Sequence, residues 1–230
     1  MNKLKKAVGY FTKFETGLWL SSIVLILASF LIFDRSSYLT LIASLIGATS
    51  LIFCAKGNPF GQLLMVIFGL LYGVISFSFR YYGEMITYIG MTVPMAAVSL
   101  VTWLRNPYNG NHSEVKINRI SKKELAIILL LTAGVTVASY FVLDTFGTSN
   151  LIPSTFSVST SFFAVCLTAR RSPYFALAYA LNDVVLIVLW VLACISDISY
   201  LSVVVCFIMF LMNDSYSFIN WKRMQKKQAE

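Results

Sequence analysis

Eight stretches of 17 to 23 predominantly apolar residues follow one another along this 230-residue chain, most of them separated by connections too short to form a domain. They run from Gly17 to Phe33, Tyr38 to Ala55, Phe60 to Phe79, Glu84 to Leu104, Leu125 to Leu143, Ile152 to Ala169, Pro173 to Ile195 and Ile198 to Asn220. About 20 apolar residues in a helix cross a hydrocarbon core of roughly 30 Å, and within that core the backbone must satisfy its own polar groups, as a helix does. The pattern predicts an all-α polytopic membrane protein with about eight spans. Composition agrees, since 58% hydrophobic residues, 12% charged residues and a mean hydropathy of +0.76 lie outside the range of soluble domains. The basic leader before Gly17 resembles a secretory signal, but its apolar stretch is long, lacks a small-residue cleavage site and is followed by further spans. It is read as a retained helix.

Lys and Arg collect in the short cytoplasmic connections of membrane proteins. With the N-terminus inside, 16 of the 18 basic residues fall on the cytoplasmic side, and only Arg35 and Arg80 lie outside. Both termini are then cytoplasmic. The net charge of +8 is spread over five segments and forms no aromatic-interleaved basic face, so nucleic acid is not an expected partner. The longest connection, Arg105 to Glu124, is polar and too short for a catalytic domain. It reads as a linker between halves.

Laid on itself, the chain aligns "CAKGNPFGQLLMVIFGLLYG" with "TARRSPYFALAYALNDVVLI" at an offset of 114, and Trp103 with Trp221 at an offset of 118. Each copy holds three spans that start on the same side, and the span Leu125–Leu143 restores parity between them. The expected organisation is SWEET-like, three plus one plus three, with a substrate site between parallel repeats near the bilayer midplane. An N-terminal segment with an extra helix occupies 1–35, the first repeat 36–106, the linker and connecting helix 107–146, the second repeat 147–222 and a cytoplasmic tail 223–230.

Asn182 and Asp183 interrupt the seventh span near its middle, and Asn213 and Asp214 interrupt the eighth. An Asp at a membrane helix centre costs about 2.5 to 3.5 kcal/mol and commonly faces a bundle interior or a wet cavity. The alternative is structural: the amides bond neighbouring helices and the carboxyls are neutral or paired. Asn213, Ser217 and Asn220 share one helical face, as do Tyr179 and Asn182, and with Tyr216 and Trp190 they supply the aromatic and amide mixture of a pocket for a flat polar ligand. Trp221, near a span end, reads instead as an interfacial anchor. Gly69 and Gly73, and the run "STFSVSTS" at 154–161, read as close helix packing, and Pro94 as a kink.

Catalytic chemistry finds little support. Cys54, Cys166, Cys194 and Cys206 form no paired motif, His112 is the one histidine, and no phosphate-binding Gly-Lys loop occurs. No cofactor or metal is expected.

The order of "NPFGQLLMVIFGLLYG", "YYGEM", "SPYFALAYALNDVVL" and "MNDSYSFINWKR" resembles the bacterial PnuC transporters over nearly the whole chain after the first helix. The resemblance implies an inner-membrane carrier of nicotinamide riboside or a related vitamin precursor, moving it down its gradient with a cytosolic kinase trapping the product. Relatives that take thiamine, riboflavin or deoxynucleosides keep those cargoes open, as proton coupling through Asp183 or Asp214 and a homo-oligomeric state also stay open. A membrane enzyme or an interaction protein is the remote alternative. The family's WxxWxxxN motif falls on Phe175, Ala178 and Asn182, so the Asn is kept and both tryptophans are replaced. The first repeat carries Phe68 and Met95 where family asparagines are expected. Substrate contacts are thus expected from Asn182, Asn213, Tyr179, Phe175 and Trp190, joined by Ser217, Tyr216, Asp183 and Asp214.

Overall fold

The first span begins where Thr12 caps it: Thr12 Oγ1 accepts the Glu15 N–H, and the Glu15 carboxylate accepts the Thr12 N–H. Two orphan donors of the first turn are satisfied by this reciprocal pair. The computed structural model describes residues 10–78, 82–148 and 150–230. Lys3, Lys5, Lys6, Phe79, Arg80 and Tyr81, used in the sequence reading, lie outside them.

The helices are α1 (Lys13–Phe33), α2 (Tyr38–Ala55), α3 (Pro59–Ser78), α4 (Tyr82–Thr87), α5 (Val93–Leu104), α6 (Lys122–Thr145), α7 (Leu151–Ala169), α8 (Tyr174–Cys194) and α9 (Leu201–Lys227). A π-helical turn, Tyr88–Thr92, joins α4 and α5 into the fourth span. Among the described residues, seven of the resulting segments are long and apolar enough to cross a membrane, and α3 is a further apolar helix. The protein is an all-α polytopic membrane protein. The kink expected at Pro94 takes the form of the π-helical turn just before it: Pro94 has no N–H to donate, and the widened turn accommodates the break in the ladder.

α9 packs on α8, α2 and α1, while α3 packs on α2 and the fourth span, and α7 bridges α8, α6 and α5. α6 rests chiefly on α7, burying Ile128 and Leu143. The Gly69 and Gly73 face of α3 meets the fourth span so closely that an added Cβ would stand 2.8 Å from Val93 and 2.4 Å from Ile89. That is the packing their spacing predicted.

Two local expectations change. α9 runs seven residues past the expected end at Asn220, because Lys222 and its neighbours continue the helix beyond the apolar zone. Trp221 is therefore not an interfacial anchor: it is fully buried, 5.3 Å from the Trp103 ring. The linker also contains a hairpin, Pro107–Tyr108 paired with Asn111–Val115, turned by Asn109 and Gly110 at φ 48° and 75°. Asn-Gly is the dipeptide that such a two-residue turn favours.

The same linker ties two equivalent turns together. Gly57 and Arg171, 114 residues apart, both adopt left-handed backbone, at φ 66° and 58°. The Gly57 carbonyl accepts the Val115 N–H and the Arg171 carbonyl accepts the Asn118 N–H, each at 3.0 Å. Beside them, Trp103 Nε1 donates to the Thr168 carbonyl at 3.0 Å and Trp221 Nε1 donates to the Cys54 carbonyl at 2.8 Å. Cys54 and Thr168 are again 114 residues apart.

Candidate functional site

A cavity of about 500 Å³ lies between α3, the fourth span, α7, α8 and α9. Its lining includes Tyr179 and Asp214 and extends to Phe146, Asn150, Ser196 and Tyr200 in the connections between helices. Below Tyr179 the bundle is closed by Phe175, Trp103 and Trp221, with Phe175 4.8 Å from the Trp221 ring. A smaller cavity of about 370 Å³ shares Tyr72, Trp190 and Tyr200 with the first.

Five of the expected site residues line the main cavity: Tyr179, Asn182, Asp183, Trp190 and Asp214. Asn182 Oδ1 accepts the Thr160 hydroxyl at 2.8 Å and the Ser161 hydroxyl at 3.0 Å. With its oxygen held by α7, the amide presents its Nδ2 as the remaining donor. Asp183 and Asp214 are both 3% exposed, and both line the cavity. One oxygen of Asp183, Oδ2, is buried without a partner among the described residues.

Four expected residues are placed elsewhere. Phe175 is only 2% exposed and belongs to the aromatic seal. Asn213 donates to Ser22 Oγ at 2.9 Å and to the Met209 carbonyl, so its amide serves the contact with α1. Tyr216 donates to Glu15 Oε1 at 2.8 Å, and Lys56 donates to the same carboxylate. Ser217, one turn beyond Asn213, is buried outside the lining. The polar stripe of α9 is real, but it faces α1 and α2, where Asn220 donates to the Ala55 carbonyl. The cavity face of α9 is instead Phe207, Phe210 and Asp214, spaced i, i+3 and i+7.

Sequence reasoning missed Ser154, Ser157 and Ser161, which line the cavity from α7, and Thr160, which holds Asn182. Their signal was present in "STFSVSTS", whose serines recur at i, i+3 and i+7. Part of that run does serve packing, since Ser159 bonds Thr136 of α6 at 2.7 Å. From the first half the cavity receives Phe68, Tyr72, Tyr88 and Thr92. Phe68, which the self-alignment pairs with Asn182, lines the cavity as Asn182 does.

Comparison with known proteins decides the family. The model of the nicotinamide mononucleotide transporter family matches residues 37–223, most of the chain. The chain belongs to that family. It is therefore a member of a transporter family, consistent with its eight apolar helices. A similar relative within reach of the family is the nicotinamide riboside transporter PnuC of Neisseria mucosa, 26% identical over 98% of this chain and 87% of that one. The family fold is also seen in a solved crystal structure of the vitamin B3 transporter PnuC, with a TM-score of 0.81 and 23% identity, covering 96% of this chain and 95% of that one.

Proposed function

We propose that the protein is a facilitative carrier for nicotinamide riboside, working as a uniporter whose product is trapped by a cytosolic kinase. The observation that carries this reading is the cavity itself: about 500 Å³, walled by aromatic rings, with one oriented amide and two carboxyls in its lining. Ligand sites of this size commonly combine apolar walls with a few placed polar groups. The activity named for the Neisseria mucosa relative supports the choice of cargo. Substrate contacts are assigned to Asn182, Tyr179, Trp190, Asp183 and Asp214, with Ser161 added.

The carrier sits in a bacterial inner membrane with both termini in the cytoplasm, a reading supported by the distribution of Lys and Arg. Residues 36–106 and 147–222 act as parallel repeats joined by 107–146, with 1–35 outside this core and 223–230 as a tail. The matched turns at Gly57 and Arg171 support that division.

The test is thermal stabilisation of the purified protein by nicotinamide riboside, thiamine, riboflavin and deoxynucleosides, followed by uptake into proteoliposomes. A ligand that binds only the folded state raises its apparent stability. Selective stabilisation and saturable uptake of nicotinamide riboside are expected, whereas selective response to another compound reassigns the cargo. Two buried carboxyls on the cavity wall, Asp183 and Asp214, favour a second reading, proton-coupled transport. Loss of accumulation on collapsing the proton gradient would establish it; uniport predicts no change.

A further inference from the structure

Asp183 and Asp214 place two carboxyl groups on the wall of the cavity, from helices packed on one another, each 3% exposed. Each carboxyl can ionise, and neither takes part in an ion pair among the described residues. Asp183 Oδ2 has no hydrogen-bond partner among the described residues. Nor does any described Lys, Arg or His line the cavity. A negative charge kept in such a place without an opposite charge costs several kcal/mol or more. The site is electrostatically incomplete.

Resting on the nicotinamide riboside reading, we propose that Asp183 and Asp214 form a charge-selecting pair that takes the fixed positive charge of the substrate's ring. A pyridinium bonded to ribose through its nitrogen has no proton to release, so it stays cationic wherever it is carried. Its charge is spread over a planar ring, which suits a site where the countercharge is flanked by aromatic faces. Tyr179 and Trp190 supply those faces on the same helix as Asp183. Attraction of a cation by a ring face and by a carboxylate act together once water is displaced. Asn182, held by Thr160 and Ser161, is left to read a neutral acceptor on the ligand. Shape and amide chemistry thus belong to one residue and charge to the pair.

The comparison that isolates charge uses two ligands of nearly the same outline: nicotinamide riboside and its reduced 1,4-dihydro form, which is neutral. Binding to the purified wild-type protein in detergent is measured by calorimetry, and again for Asp183→Asn and Asp214→Asn. The wild type is expected to prefer the cation by roughly 30-fold, the scale of truncating one partner of a buried charge pair. In either variant that preference collapses because the cation loses affinity while the neutral form keeps its own. Equal binding of the two forms by the wild type overturns the charge-selecting role and leaves the cargo reading intact, and so does a preference that survives both substitutions. Binding of neither form by folded wild-type protein overturns the cargo reading itself. The wild-type comparison decides even if a variant fails to fold.

Discussion

On the proposed reading, Asn182 is needed for binding and not for folding. Its oxygen takes the hydroxyls of Thr160 and Ser161, yet Thr160 Oγ1 also lies within bonding distance of the Phe156 and Ser157 carbonyls of its own helix. Replacing the amide by an apolar group of similar size frees the Thr160 hydroxyl, which has other acceptors, and the Ser161 hydroxyl, which lines the cavity, so little desolvation penalty remains. Asn182→Leu is expected to keep its thermal unfolding temperature within a few degrees of wild type and to lose nicotinamide riboside uptake by at least about tenfold, the cost of one buried hydrogen bond to a ligand. Asp183 was legible at this scale because a carboxylate amid hydrocarbon announces itself. Asn213 was equally conspicuous and misleading, because a buried amide is as well satisfied by Ser22 of a neighbouring helix as by a ligand. Composition alone does not tell these two partners apart.

Among the elements, spans other than the C-terminal extension of α9 were readable to within a few residues because hydrocarbon thickness sets helix length. The facing of each span was harder to read. A polar stripe identifies a face of α9, but only the packing of α1 reveals that Asn213, Tyr216 and Asn220 serve helix contacts while Phe207, Phe210 and Asp214 face the cavity. For α3 the pattern was sufficient, since Gly69 and Gly73 admit only close approach. Gly73→Val would drive a side chain into Ile89, which already fills the space a Cβ would need. Overpacking of this kind typically costs about 1 to 3 kcal/mol. The variant should unfold several degrees earlier in a detergent melt, and the companion change Ile89→Ala should restore part of that loss. The hairpin in the linker escaped the reading although Asn109-Gly110 was its signal, because a polar stretch between spans looks like tether.

The whole bundle is held at one end by two indoles that reach across the molecule to carbonyls 114 residues apart. Removing one indole N–H loses one hydrogen bond while the carbonyl keeps its backbone donor, Gly57 or Arg171, at a net cost of about 0.5 to 1.5 kcal/mol. Trp103→Phe and Trp221→Phe should therefore each lower the unfolding temperature. Because the rings also touch, the double variant should lose less than the two single losses together, with a coupling on the order of 0.5 to 3 kcal/mol. Strict additivity in the melts would show that the two bonds act independently. The self-alignment placed the two tryptophans in register, but neither their burial nor their exchange of partners was visible in it. Both depend on where Cys54 and Thr168 end their helices.

That exchange bears on how this end of the bundle could come apart. Each indole bonds a carbonyl on the other side of the chain, and the Gly57 and Arg171 turns are both tethered to residues 115–118. A motion that parts the two turns has to break the indole bonds and the backbone tethers alike, so loosening any one fastening leaves the other three in place.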